Sequence, residues 1–559
     1  MYLILALALV LRVFWISDYP TGFTPDEASF GYDAYSILKT GKDQWGRFLP
    51  LYLESFGDFK SPLYSYLTIP SVYLFGLNVF STRLPNALLG SASIYITYLL
   101  VLELLKDKKI LFKNTGALIS SFLLAVSPWH VMLSRGAFEA NLTTLFMPLG
   151  ILLFIKGIRK NAFLPISLLF FGLNMFTYHS AKLVTPFVVC FLICIFWKEL
   201  KKVDIKYLIY SGLILFITIF LTLYSLNQGA ARRAYDLSIS KGALEAQADE
   251  RLKVIEKGVN PVVARIFHNK YLVIASRFTA TYKQFFSVKF LFKDGAGEAT
   301  YGMIPGIGVL YWFEAPLILM FLFSLFKSNW RKAGFITLFW IVISPIPASL
   351  ATGVGYAANR TAVMMPAVQI ASGLGLMFFL NQVINKSSVK FSSVFTVVIL
   401  AVGIFSLGSF LKTYIIFYPQ HYSKSMLYGN VDAGYWLANY SESFSQIIIS
   451  TSLSEPHIYV AFANIWNPKE YQNETLKWNI YKEKGLTFLD QLPEYSLANY
   501  LFKKIEPEDL LKNRNTLLVG RPDEFPQGIK ILKTFYYANG TPSILVVKPF
   551  GDLYAKKAI

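Results

Sequence analysis

Apolar runs of about a dozen to two dozen residues recur from the N-terminus to Lys412, and short basic clusters separate them. No other feature restricts the fold as much, because about 20 consecutive apolar residues suit a helix that crosses a bilayer. Eleven such spans are expected: Leu3–Ser17, Leu84–Leu105, Thr115–Ser127, Leu142–Gly157, Phe163–Tyr178, Leu183–Trp197, Tyr207–Ser225, Ile304–Phe326, Gly334–Leu350, Thr361–Leu380 and Phe391–Lys412. Several are short enough to need tilting or local thinning of the membrane. Pro62–Gly76 is apolar too, but its prolines and aromatics suit a helix lying in the interface. Charged residues make up 16% of the chain, where a soluble protein carries about 25%.

The placement of charge gives an orientation. Alternate short loops hold Lys106, Lys108, Lys109, Lys113, Lys156, Arg159, Lys160, Lys198, Lys201, Lys202, Lys206, Lys327, Arg331, Lys332, Lys386 and Lys390. The intervening short loops hold Arg135, Lys182 and Arg360. By the positive-inside rule the first set is cytoplasmic. The loop 18–82, the long Asn227–Met303 segment and everything after the last span then face outward. The formal net charge is +19, but much of the Lys and Arg lies in short connections between apolar runs and forms no basic face on a soluble module, so no nucleic-acid partner is expected. Met1–Val10 has no small-residue cleavage site after it and reads as a retained first helix. Cys190 and Cys194, inside one apolar run, read as buried small hydrophobes rather than a disulfide or metal site.

From about Pro419 the pattern changes. β-rich runs (Gln446–Ser450, Thr516–Gly520, Ser543–Lys548) mix with helical stretches (Ala433–Tyr440, Pro507–Asn513). The division expected is a membrane domain over 1–418 and a small extracytoplasmic α/β domain over 419–559. The latter shows no recognisable catalytic signature and reads as a packing or acceptor-positioning module.

The chemistry-bearing residues gather near the start. Asp26-Glu27 lies in the first loop, followed by Gly57-Asp58-Phe59-Lys60-Ser61-Pro62-Leu63-Tyr64 and by Arg83-Leu84-Pro85 at the opening of the second span. A carboxylate pair just outside the membrane, followed by a lysine and aromatics, points to chemistry on an anionic lipid-linked substrate. A carboxylate within reach of a hydroxyl can act as general base. Lys and Arg can stabilise a departing phosphate without a metal. From local sequence alone Asp26 reads rather as a helix N-cap, and only the rest of the constellation turns the reading to a base. Lys60 reads as a phosphate ligand or as a lysine snorkelling to headgroups.

The ordered stretch from Leu11-Arg12 through Asp26-Glu27 and Lys60-Ser61-Pro62-Leu63-Tyr64 to Leu74-Phe75-Gly76 and Arg83-Leu84-Pro85 resembles the GT-C superfamily of membrane glycosyltransferases. It is most like the protein-O-mannosyltransferase and aminoarabinose-transferase group. Ser61 departs from the second proline many relatives carry, and Asp58 stands two places before the lysine rather than next to it. The resemblance implies a polytopic helical fold and an inverting transfer of a hexosyl or pentosyl group from a dolichyl- or undecaprenyl-phosphate donor to an extracytoplasmic hydroxyl. The acceptor would be a protein, lipid or glycan. Asp26 takes the place of the base, with Glu27 as its alternate. Arg12, Asp58, Lys60, Tyr64, Arg83, Arg135, Lys182 and Arg360 are candidate substrate ligands. Arg12, a charge inside an apolar helix, is expected to pair with a loop carboxylate. Trp45 and Tyr64 are candidates for stacking on a sugar. His130 and His179 lack nearby acidic partners in sequence, so no cofactor is expected and a divalent metal is not favoured. The alternative from another class is a transporter or flippase of anionic lipid-linked substrates, which would need mid-membrane ionisable residues and internal repeats.

Overall fold

The structure is a computed structural model, and it describes residues 1–106, 112–227, 238–295, 297, 299, 302–352, 357–383, 389–513 and 515–551. Its first part is helical. We label α1 (Tyr2–Val13), α2 (Pro25–Thr40), the strands β1 (Leu53–Ser55) and β2 (Asp58–Lys60), α3 (Leu63–Phe75), α4 (Val79–Leu104) and α5 (Lys113–Val126). Then come α6 (Pro128–Arg135), α7 (Thr143–Arg159), α8 (Phe163–Met175) and α9 (His179–Ile195).

Among the described residues six helices are long and apolar enough to cross a membrane, and seven if the α5–α6 pair, bent by 54°, is one broken span. Four shorter apolar helices accompany them: α1, α8, α9 and Glu314–Ser324. The eleven spans expected would need all four short helices to cross as well. The bend follows from Pro128, which takes the first-turn position of α6, where a missing N–H costs nothing. α3 keeps Tyr73, Leu74 and Phe75 exposed at its C-terminal end. The long segment after Ser225 holds the helices Ala243–Glu256, Pro261–Phe267 and Lys270–Gln284, whereas Arg232-Arg233, Lys108 and Lys386 lie outside the described residues.

Cys190 and Cys194 are free and exposed, not buried as expected. Four residues apart on one helix, they share a face. In a membrane helix an outward apolar face meets lipid, so a hydrophobic surrounding in sequence does not imply burial in protein.

The C-terminal region carries a six-stranded mixed sheet. Its strands are β3 (Gln446–Ser450), β4 (Glu494–Leu497), β5 (Tyr500–Lys503), β6 (Thr516–Gly520), β7 (Lys530–Tyr536) and β8 (Pro542–Lys548), in the order β4-β5-β3-β6-β8-β7. β3 lies parallel between β5 and β6, and the outer pairings are antiparallel. This region does not stand apart. One hydrophobic cluster joins Phe23, Ala28, Tyr32, Trp45 and Phe56 of the first loop to Ile447, Tyr459, Phe462, Tyr471, Trp478 and Tyr495. Polar contacts cross the same seam. Glu54, 1% exposed, accepts from the Tyr481 hydroxyl at 2.8 Å and pairs with Lys482 at 2.5 Å. Gln472 donates to the Asp43 carbonyl and the Ser36 hydroxyl. The first loop and the C-terminal sheet therefore form one packed unit on the ends of the helices.

Candidate active site

The site grows out of the start of α2. Thr24 caps the helix in a reciprocal box with Glu27, and Pro25 occupies the first turn. Asp26 and Glu27 thus sit where the partial positive charge of the helix end favours carboxylates. Adjacent on a helix, they point about 100° apart and meet different partners.

Glu27 turns inward and is fully buried. Its Oε1 accepts from Arg83 Nε at 2.8 Å and from the Ala137 amide at 2.9 Å. Its Oε2 accepts from Arg83 NH2 at 3.2 Å and from the Thr24 amide at 3.0 Å. Arg83, equally buried, also donates to the carbonyls of Ile16, Pro20 and Gly22. With its lone pairs occupied in this way, Glu27 pins the first loop to α4 and to the turn after α6.

Asp26 turns outward, its side chain one-third exposed, and its Oδ1 lies 2.7 Å from Lys60 Nζ, whose side chain is 4% exposed. Lys60 ends β2 of a tight hairpin in which it pairs with Leu53. Its ammonium lies 4.7 Å from the centre of the Phe30 ring and 5.3 Å from that of Phe56, so two aromatic faces help hold a cation withdrawn from water. His179 Nε2 lies 2.9 Å from the Phe59 carbonyl and donates to it, bracing the hairpin against α9.

The C-terminal region adds a third group, Glu455, which sequence reasoning missed. Tyr459 donates to the Phe23 carbonyl at 2.7 Å. The Leu489 amide donates to the Phe56 carbonyl at 3.0 Å. These contacts bring Glu455 close enough to Asp26 and Lys60 for the charges to interact. Burial pushes the Glu455 carboxyl well above the usual range, Asp490 and Asp26 push it further, and Lys60 opposes them. Burial raises the Asp490 carboxyl as well, and lowers His457 to about 3. Glu455, His457 and Asp490 are the one group of potential metal ligands found among the described residues, their ligand atoms within 4.8 Å of one another. The Tyr495 hydroxyl lies 2.9 Å from His457 Nδ1 and donates to Asp490 at 2.5 Å. The Tyr495 hydroxyl thus links His457 and Asp490 in one hydrogen-bonded network.

Most of the remaining candidates belong to the frame. Arg12 donates to the carbonyls of Ala8, Leu124 and Ala125 and contacts His130 Nδ1 at 2.7 Å, in place of the loop carboxylate expected. Arg135 caps the end of α1 through the carbonyls of Leu11, Phe14 and Trp15. Tyr64 is buried and donates to the Thr82 carbonyl at 2.7 Å, and Trp45 packs on Trp478 and Tyr481, so neither ring is free to stack on a sugar. Arg360 donates to the Thr352 carbonyl, and Lys182 lies in the first turn of α9. Asp58 pairs with Ser55 in the hairpin, and its side chain lies outside the described residues.

Comparison with known proteins bears on the fold that carries this arrangement. Residues 59–224, which begin at the hairpin strand carrying Lys60, match the family model described as dolichyl-phosphate-mannose-protein mannosyltransferase. Over 138 residues the chain is 30% identical to the YkcB protein of Bacillus subtilis (strain 168), which bears a provisional mannosyltransferase name. That stretch is 24% of this chain and 18% of the relative's length. The crystal structure of ArnT from Cupriavidus metallidurans bound to undecaprenyl phosphate superposes with a TM-score of 0.51 at 12% identity, covering 98% of this chain and 97% of that one. At that identity the likeness speaks for the fold. The chain thus shares the fold of that membrane glycosyltransferase over nearly its whole length, and its segment from the Lys60 hairpin through the early spans is similar to the dolichyl-phosphate-mannose-protein mannosyltransferase family.

Proposed function

We propose that this protein is an inverting glycosyltransferase that moves a sugar from a polyprenyl-phosphate donor to a hydroxyl on the extracytoplasmic side of the membrane. The observation that carries the reading is the 2.7 Å pair between a part-exposed Asp26 and a buried Lys60. In the step we infer, Asp26 removes the proton from the acceptor hydroxyl and the oxygen forms a bond to the anomeric carbon. The bond from that carbon to the phosphate oxygen breaks, and its electron pair leaves with the phosphate. Lys60 stabilises the charge that grows there. A single displacement of this kind inverts the anomeric centre.

The ion pair also suggests an order of events. With no donor bound, Lys60 is a counter-ion of Asp26. An arriving phosphate competes for the ammonium and loosens its hold on the carboxylate, so the base is released when there is a sugar to transfer. Burial, then Asp490 and Asp26, push Glu455 toward its uncharged form, which disfavours a second negative charge in a site built for an anion. The outward orientation rests on the loop charges. A mannose-like sugar is supported by the name of the matching family, and a lipid phosphate by the ligand in the ArnT structure. The test is to offer purified protein defined polyprenyl-phosphate sugars and follow consumption by mass spectrometry. Consumption of one donor by the wild type, with none by Asp26→Asn, supports the proposal, and no consumption of any donor overturns it.

A further inference from the structure

A second charged cavity lies at the far end of the helix that carries Arg83. α4 begins beside the Asp26 loop and reaches Glu103, about 30 Å from Arg83 at about 1.5 Å per residue, which is roughly the thickness of a bilayer core. There a cavity of about 490 Å³ is lined by Glu103, Lys106, Lys156, Arg159, Lys160 and Phe163. Four basic side chains thus face one carboxylate. That carboxylate is itself committed, because Glu103, 9% exposed, pairs with Arg159 and lies 3.5 Å from Lys106.

The arrangement differs from a scatter of cytoplasmic lysines. Lys156 and Arg159 stand in the last turn of α7, and Lys160 follows at its C-cap. The carbonyl end of a helix carries about half a unit of negative charge, which does not account for this many cations around one space. Glu103 orients Arg159 and Lys106, so part of the cation set is positioned in advance rather than free to splay. Phe163, which opens α8, supplies an apolar wall. The helices that meet at the cavity are apolar along their lengths, which puts it at the level where phospholipid headgroups lie.

We propose that this cavity binds the phosphate of an anionic membrane lipid, on the face opposite the Asp26–Lys60 pair. Lys156 and Lys160 hold the phosphate, and Arg159, fixed by Glu103, closes one side. An occupant here braces the end of α4 whose other end clamps Glu27 through Arg83.

The test uses the full-length protein in nanodiscs, with phosphatidylglycerol and phosphatidylcholine as probes and retained lipid counted by native mass spectrometry. Wild type should retain phosphatidylglycerol selectively. Removing both charges in Lys156→Gln/Lys160→Gln should lower retention roughly 25-fold, taking about fivefold for each lysine at an anionic surface. Lys198→Gln/Lys201→Gln, in another basic loop of the same set, should leave retention unchanged. Equal loss in the two double variants would mean a diffuse surface charge and overturn the site. So would retention of phosphatidylcholine as strongly as phosphatidylglycerol. Displacement of the lipid by millimolar inorganic phosphate would overturn the lipid as occupant and assign the cavity to a soluble anion.

Discussion

Asp26 and Glu27 are neighbours in sequence, each paired with a cation, and the two pairs could hardly be less alike. Glu27–Arg83 is fully buried, and its oxygens accept four hydrogen bonds from Arg83 and two backbone amides. Asp26–Lys60 is a short contact between a part-exposed carboxylate and an ammonium held over aromatic rings. A group saturated with fixed, buried partners has nothing to offer a substrate, whereas one at the edge of solvent in an exchangeable contact can change partners during a reaction. On the function proposed here the two halves of the motif divide into a scaffold and a reactive pair, and the helix geometry sends the two side chains to different partners.

The largest effect expected from breaking this contrast is on the scaffold side. Arg83→Ala leaves Glu27 buried without its counter-charge, and losing one partner of a buried pair costs about 3–5 kcal/mol. The variant should unfold or aggregate at a markedly lower temperature in a detergent thermal-shift assay. A melting point within about 2 °C of wild type would show that the clamp is not structural. Next in size is Lys60→Ala, which on the proposed function removes a charged hydrogen-bond partner of the donor phosphate. Affinity for polyprenyl phosphate should fall about 10- to 100-fold by titration, with the fold intact. Unchanged affinity would reduce Lys60 to a counter-ion.

The third prediction concerns pH. The Glu455 carboxyl is raised by burial, Asp490 and Asp26, so it stays protonated at pH values where ordinary carboxyls have ionised. As pH climbs through that raised value the proton is lost, and a new carboxylate competes for Lys60. Donor binding should therefore decline on the alkaline side, and Glu455→Gln, which cannot ionise, should flatten the decline. An identical decline in the variant would place the titration elsewhere. The smallest effect belongs to Arg360→Ala. Its guanidinium donates to the Thr352 carbonyl in an exposed setting, so turnover should stay within about twofold of wild type. A much larger loss would return Arg360 to the site.

How much of this was legible in the sequence depended on how local each signal was. The Asp26 and Lys60 segments are close in the chain and separated by one helix and a hairpin, so a motif could carry them. Arg12 was legible as a costly charge that needs a partner inside an apolar helix, but Arg83 and Arg135 read only as candidate substrate ligands. Sequence does not distinguish a substrate phosphate from the backbone carbonyls that accept from all three arginines, or from the buried Glu27 that Arg83 holds. Glu455 could not be read at all, since it meets its partners from the opposite end of the chain and sits in an ordinary-looking Ser454-Glu455-Pro456-His457 turn. In the sheet, β3, β6 and β8 were visible as short apolar, β-rich runs. β7 escaped because it is an edge strand whose Lys530 and Lys533 break the apolar pattern, as edge strands often require.

The division between scaffold and reactive pair is tested most directly by comparing Asp26→Asn and Glu27→Gln side by side, with turnover and melting temperature measured on the same preparations. Asp26→Asn should melt like wild type, bind donor and lose about two to four orders of magnitude in rate, the usual cost of removing a general base. Glu27→Gln should melt lower while each folded molecule keeps most of its turnover. A stable but inactive Glu27→Gln beside an active Asp26→Asn would contradict the account and move the chemistry to the buried pair.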